Sequence, residues 1–594
     1  MSVVTYTLTP RFPEAHRFEV TCRIDDPDPE GQVFSLPTWI PGSYLIREFA
    51  RHVVRLEAEA AGGAVAVEKI DKATWKVAPC RGPLTVRYQI YAWDLSVRGA
   101  HLDTTHAFFN GVSVFLRPQG RAHLPCRVEI APPPGAVYRD WQVATALARE
   151  TAPPWGFGLY RAENYEDLIE HPVEMGLFLR LAFSAGDVAH HVVVTGCPTL
   201  HTKRLQRDLA AICSWQMALF GAPKLSEPYL FQVMAVGSGY GGLEHRNASA
   251  LLCDRADLPA PGLSDEVWPE GYVRFLGLAS HEYFHRWNVR RIRPAALQHQ
   301  DGAAEAYTRL LWFFEGVTSY YDDLCLKRAG LIDEATYLGL LAKTISQVQK
   351  TPGRAWQSLA ESSFDAWIKY YRPDENTPNA VVSYYAKGAL VALCLDLALR
   401  RIHSDLSLDC VMRVFWREFG VSGQGLSETE IFEQVAQLGA SFDATIARKT
   451  RHLGRWLREV VEGTGDLPLA QHLAWAGVRL DWKRDDALPW LGVQCVSEGE
   501  AARIRSIRAG SPAEMAGLAA GDEIVALQGW RVTRANWERV LGCFSAGQEV
   551  RCHYFRQEHL ASTVLTLAAP PTETASLTPI PGQRAAARRA VWLL

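Results

Sequence analysis

The sequence predicts a multidomain α+β protein. Three observations carry this: short alternating runs at the amino end, long helical periods in the middle, and short strands returning after a charged stretch at 481–486. Its 594 residues exceed what one core accommodates, since a domain takes about 150 residues. Hydrophobic residues at 48% and charged residues at 21% are those of a packed chain, which sets aside disorder and coiled coil. With 62 Lys and Arg against 65 Asp and Glu, a net charge of -3 offers no basic field to a phosphate backbone or an anionic membrane. Neither nucleic acid nor membrane is an expected partner.

In residues 1–182, runs such as Arg17-Phe18-Glu19-Val20-Thr21 and Leu84-Thr85-Val86-Arg87-Tyr88 alternate between Pro and Gly clusters, the pattern of an antiparallel β domain. Residues 183–480 change to helical periods over 272–289, 308–327, 334–350 and 384–403, a mostly helical middle domain. Residues 481–569 form a third, small stranded domain that opens at Pro489-Trp490-Leu491-Gly492-Val493. Residues 570–594 carry four prolines and then Arg584, Arg588 and Arg589, and are expected to be a flexible tail ending on Val591-Trp592-Leu593-Leu594.

The first twenty residues lack the apolar stretch of about 7–15 residues that a secretory signal needs. The apolar run 389–399 is broken by Asp396 and falls short of the roughly 20 residues that cross a bilayer. The 12 Cys are scattered singly, without zinc-ribbon or disulfide-scaffold spacing. A cytoplasmic location with reduced thiols is expected.

The chemistry concentrates in His281-Glu282-Tyr283-Phe284-His285. On a helix, positions i and i+4 share a face, so both imidazoles can reach one zinc ion while Glu282 leans toward the water beside it. A catalytic zinc wants a third protein ligand and one open position. Asn288 and Arg291 stand where the metzincin pattern requires Gly and His, which excludes that family. A carboxylate ligand has two candidates. Glu305 has the thermolysin-like separation but lies in a polar stretch. Glu315, thirty residues after His285, interrupts the apolar run Leu310-Leu311-Trp312-Phe313-Phe314, where a buried carboxylate needs a partner such as a metal.

Several ordered motifs resemble the glycyl aminopeptidase family of PDZ-containing gluzincin zinc metallopeptidases. They are WIPGSY at 39–44, GYGGLEH at 239–245, HEYFHRWNVRRIRP at 281–294, WFFEG at 312–316 and SYYAKG at 383–388. The resemblance implies an N-terminal β domain, a thermolysin-like catalytic domain, a C-terminal PDZ domain, one zinc ion per chain, and release of small amino-terminal residues, Gly or Ala, from peptides with a free N-terminus. It supports Glu315 as the third ligand, because Trp-x-x-Glu-Gly supplies the zinc carboxylate in the wider superfamily. It makes Glu244 the acceptor of the substrate's α-ammonium group, with Gly241 and Gly242 letting the backbone approach the peptide. His245 stands where that superfamily has Asn. Tyr385, the Tyr of Tyr-x-Lys-Gly, matches the position of the oxyanion donor, with Tyr384 as the neighbouring alternative.

Arg290, Arg291 and Arg293 follow the metal helix and are read as complements to its carboxyl end, paired with acids such as Asp322 or Asp323. Leu491-Gly492-Val493 with Ala509-Gly510-Ser511-Pro512 resembles a PDZ domain of the bacterial protease type, which binds a chain end as an added strand. A C-terminal peptide is therefore a possible PDZ ligand, and the chain's own apolar terminus is one candidate for it. The leading expectation is a zinc aminopeptidase with Glu282 as general base. The alternatives are a PDZ-guided metalloendopeptidase and a non-catalytic peptide-binding scaffold.

Overall fold

The computed structural model describes residues 2–298, 300–484, 488–496 and 499–594. Asp485 and Asp486 of the charged stretch lie outside the described residues. The chain divides into two compact units, the first made of Met1–Tyr307, Tyr321–Ile332 and Met412–Ser427, the second of Thr308–Tyr320, Asp333–Val411 and Glu428–Leu594.

In the first unit, alternation builds the largest sheet. Val4–Phe12 buries every second side chain, as do Arg17–Ile24 and Leu84–Tyr91, and these strands neighbour one another in the middle of an 8-stranded sheet. Tyr6, Leu8, Phe18, Val20, Val86 and Tyr88 meet in the core of this sheet. The hydroxyls of Tyr6, Tyr88 and Tyr165 donate to the carbonyls of Leu116, Val114 and Phe115 at 2.8, 2.8 and 2.7 Å, so three buried phenols satisfy the irregular segment that crosses the core. The sheet departs from the expected antiparallel pattern at one pair: Val4–Phe12 runs parallel to Cys126–Ile130, which the long intervening chain permits.

A second sheet of the first unit has five strands in the order Leu179–Ala185, Val188–Thr195, Tyr229–Val236, Ala248–Asp254 and Gly241–Glu244. Its central pairs are parallel, and Gly241–Glu244 closes one edge antiparallel to Ala248–Asp254. Sequence reading placed these residues in a mostly helical domain. Parallel strands covered on both faces lose the period-two signal, and the near-continuous burial of Tyr229–Val236 shows why. The helix Glu270–Phe284 packs on the edge strand Gly241–Glu244 and on the helix Thr202–Phe220. It is shorter than the expected 272–289 because the chain turns after His285. There Val289 is held at φ 116, a left-handed position that a β-branched residue adopts only under constraint.

The second unit is helical at its centre. Its helix Tyr384–Ile402 is capped by Ser383 and is buried along nearly its whole length. The stretch Thr377–Ile402 is long and apolar enough to pass as a membrane span by composition, but 83% of that window is buried inside the protein, as a core helix is. Gly316 and Gly388 let two segments touch backbone to backbone: a Cβ on Gly388 would lie 2.7 Å from the Trp312 carbonyl oxygen, and one on Gly316 would lie 2.6 Å from the Gly388 Cα. The same unit contains a sheet of short strands, Val493–Cys495 at one end followed by Ala502–Ile507, Glu523–Leu527, Glu549–Arg556 and His559–Thr566. Its core gathers Leu491, Ile504, Ile524, Val550 and Leu565.

Residues 570–594 are not a flexible tail. Thr572–Pro579 forms an antiparallel strand with Val478–Arg484, and Gln583–Leu593 is a helix. Trp592 is 0% exposed and its indole N–H donates to the Tyr320 hydroxyl at 3.0 Å, while Arg589 pairs with Glu334 at 2.9 Å. The apolar terminus therefore packs among these helices rather than in a peptide groove. The prolines that suggested mobility sit at the ends of the strand, where no ladder hydrogen bond is required of them.

Candidate metal and peptide site

In the first unit the helix Glu270–Phe284 brings His281 and His285 to one face, with ring centroids 4.7 Å apart. Each ring is held through Nδ1. His281 Nδ1 lies 3.1 Å from Asp322 Oδ2, and His285 Nδ1 lies 2.7 Å from the Asn288 carbonyl oxygen. An acceptor at Nδ1 takes the ring proton and makes Nε2 the coordinating nitrogen, the arrangement found behind metal-ligating histidines. Burial pushes the Asp322 carboxyl up, and the hydrogen bond from His281 opposes it. The turn that carries the Asn288 carbonyl is the one that strains Val289.

Glu282 and Glu244 are 5% and 3% exposed, and donor atoms of Glu244, Glu282 and His285 all lie within 4.8 Å of one another. Two buried carboxylates this close repel, and a cation between them relieves the repulsion. Gly242 lies so near Glu282 that a Cβ there would collide with its carboxylate. Gly42, at φ +96 in the Trp39–Tyr44 motif, presses on Glu244, and a Cβ there would stand 2.5 Å from Oε2. Arg98 Nη2 donates to the Gly242 carbonyl oxygen at 3.2 Å, which fixes the edge strand from its other side. His245 is buried, and desolvation lowers its imidazole to about 3, so it stays neutral beside Glu244.

The arginines beyond the helix do not pair with Asp322 or Asp323 as expected. Arg290 and Arg293 both meet Glu170, and Arg291 donates to the carbonyls of Arg246 and Arg286 and to Asn247 Oδ1. The turn after His285 folds them back toward the β-rich part of the unit, away from the helix end. Glu305 is half-exposed on an irregular segment.

In the second unit, Glu315 is 2% exposed and ends the short helix Leu311–Phe314. Its charge is felt by two phenols, Tyr385 and Tyr370. Burial first, and the Glu315 carboxylate next, hold the Tyr385 phenol well above its ordinary range, so it keeps its proton and remains a donor. Tyr370 is raised likewise by burial and Glu315, and its ring lies 4.7 Å from Tyr384 and 5.7 Å from Tyr385. Tyr384 is fully buried, whereas Tyr385 keeps part of its surface exposed.

Residues 5–177 match the Peptidase M61 N-terminal domain, residues 274–391 match M61 glycyl aminopeptidase, and residues 489–567 match a PDZ domain. A solved aminopeptidase N family protein from Idiomarina loihiensis is similar over 100% of both chains, at 37% identity and a TM-score of 0.93. The chain belongs to the M61 glycyl aminopeptidase family. An M1 zinc metallopeptidase from Deinococcus radiodurans is similar over 79% of this chain and 95% of that one, at 16% identity and a TM-score of 0.46. Yeast LTA4 hydrolase in complex with bestatin is similar over 78% and 68% of the two chains, at 13% identity and a TM-score of 0.46. None of the curated proteins matches. This M61 member is a peptidase of the aminopeptidase class, with a PDZ domain.

Sequence reasoning about this M61 chain missed four contributors: the Asn288 carbonyl, Asp322 as the partner of His281, Arg98 on the edge strand, and Tyr370 beside Tyr385. For Asp322 a signal existed, since an acid seven residues after Glu315 returns to the same helical face. A backbone carbonyl leaves no mark in a sequence.

Proposed function

We propose that the chain removes small amino-terminal residues, Gly or Ala, from peptides, with one zinc ion held by His281, His285 and Glu315. The observation that carries this reading is the Nδ1 anchoring of both imidazoles, which prepares two Nε2 donors on one helical face. Two neutral imidazoles and one carboxylate are a donor set that suits zinc. When bound, zinc polarises the scissile carbonyl and acidifies a water molecule.

The side chains divide the remaining work. Glu282 takes a proton from the attacking water and returns it to the leaving nitrogen, a role that needs one carboxylate within reach of both. Glu244 accepts the substrate's α-ammonium group, and that cation offsets its repulsion with Glu282. Gly241 and Gly242 present backbone to the peptide without a Cβ in the way. The Tyr385 phenol, kept protonated, donates to the oxyanion. The match to M61 glycyl aminopeptidase supports a small first residue.

Replacing Glu282 with Gln tests the assignment: turnover of aminoacyl reporters falls by about 10²–10⁴-fold while zinc content is retained. A variant that keeps most of its activity overturns it. Acetylating the amino terminus of a good substrate abolishes cleavage if Glu244 reads the ammonium. Equal cleavage of the blocked peptide favours the PDZ-guided endopeptidase, for which the strand Val493–Cys495, at the end of its sheet, is the edge where a peptide strand adds.

A further inference from the structure

We propose that the hairpin of Ala100–Leu102 and His106–Phe109 holds a second divalent metal ion of the zinc type, through His101, Asp103 and His106. Ligand atoms of these three residues all lie within 4.8 Å of one another. The ladder explains how they converge. His101 pairs with Phe108, so His106, two residues from Phe108, lies diagonally across from His101 on the same face of the sheet. The two rings stack at 4.8 Å with 24° between their planes.

Asp103 is pinned by the turn. Its Oδ1 accepts from the Thr105 amide and hydroxyl, both at 2.6 Å, and from the His106 amide at 3.0 Å, which leaves Oδ2 toward His101 Nε2 at 3.2 Å. A tetrahedral zinc with bonds of about 2.0 Å sets neighbouring donors roughly 3.3 Å apart, so this pair already has the spacing of a shared ion. Behind His106, Glu174 Oε1 lies 3.3 Å from Nδ1 and is itself fixed by the Thr195 hydroxyl at 2.8 Å. The pair is an ion contact rather than a hydrogen bond, and a small rotation of the ring would let Nδ1 donate to Glu174 and turn the other nitrogen toward a metal.

His101, His106 and Glu174 are only 4%, 5% and 4% exposed, and His101 Nδ1 has no hydrogen-bond partner among the described residues. The buried Glu174 and the partly exposed Asp103 bring negative charge beside two buried imidazoles, and a divalent cation balances it. The site also has a structural use. The same segment bears Arg98, the donor to the Gly242 carbonyl, and Asn110 ties it down by donating to the Val97 carbonyl at 2.8 Å. A metal here staples the hairpin that steadies the edge strand and takes no part in the chemistry.

Metal counting tests it. The metal-stripped His281→Ala/His285→Ala variant, titrated with zinc by calorimetry, is expected to bind one ion per chain and to melt at a higher temperature with zinc than with a chelator. Adding His101→Gln/His106→Gln should abolish both the binding and the zinc-dependent rise. In the otherwise native chain, His101→Gln/His106→Gln should lose one of two bound ions and keep peptidase turnover. Should that double replacement fail to fold, Asp103→Asn and the visible absorption of cobalt bound to His281→Ala/His285→Ala give the same answer, with intense tetrahedral bands expected and then lost. No zinc or cobalt bound to His281→Ala/His285→Ala, or an ion that survives removal of His101 and His106, overturns the proposal.

Discussion

Asp322 holds His281 through Nδ1 at 3.1 Å, and its value to the site is orientation rather than charge delivered to a substrate. Asp322→Asn should therefore weaken zinc affinity by about 10–100-fold, read by competition with a chromogenic chelator, while kcat at saturating zinc falls much less. Glu244 is proposed to act on the substrate instead. Glu244→Gln should lower kcat/KM for peptides with a free amino terminus by about 10–100-fold, the worth of a charge-assisted hydrogen bond, and should leave zinc affinity unchanged. His190 sets an acid limit. It is fully buried, its Nε2 meets the Tyr283 hydroxyl at 2.9 Å, and desolvation lowers it from 6.5 to about 4. Below pH 6.5 the unfolded chain takes up a proton that the folded chain refuses, so this contribution is intact at neutral pH and is lost as pH falls from 6.5 to about 4. It amounts to at most about 3 kcal/mol, and His190→Asn should flatten that part of an acid denaturation curve. At this scale the pentad His281 to His285 was legible because helical spacing alone aligns its imidazoles. The groups that orient it were not, because one is a backbone carbonyl and the other lies 41 residues away from His281 in sequence.

Two helical segments depend on glycine where they cross. Gly316 follows the glutamate of Trp-x-x-Glu-Gly, and Gly388 ends Tyr-x-Lys-Gly, so the last residues of the two motifs are the points of backbone contact. That contact sets Glu315 near enough to raise the Tyr385 phenol. Gly388→Ala should force the segments apart, costing about 1–3 kcal/mol of stability as an overpacked core does. It should also lower kcat more than the stability loss explains, measured by activity at a temperature where the variant is still folded. Helices with an apolar stripe, such as Glu334–Gln349 and Tyr384–Ile402, were legible to within one residue at either end. The five-stranded sheet of the first unit was not, since Val192, Val193 and Val194 are all buried and alternate with nothing.

Across the whole molecule, the order of stranded, helical and stranded regions could be read from pattern alone, while the fate of residues 570–594 could not. Proline and arginine dominate that composition, yet the alternating Thr572–Pro579 adds to Val478–Arg484 and the following helix buries Trp592. Trp592→Ala should lower stability by about 3–5 kcal/mol, seen as a drop in melting temperature, because a large cavity opens beside Tyr320 and Tyr337. A mobile tail would show no such change. A different segment governs what an engineer could alter. The turn at Trp39 to Tyr44 lies far from the pentad His281 to His285 in sequence, yet its Gly42 backs directly onto Glu244. On the proposed reading of Glu244, converting removal of end residues into cleavage within a chain is a matter of reshaping a loop contributed by the β-rich region, while the proposed hydrolytic residues stay as they are.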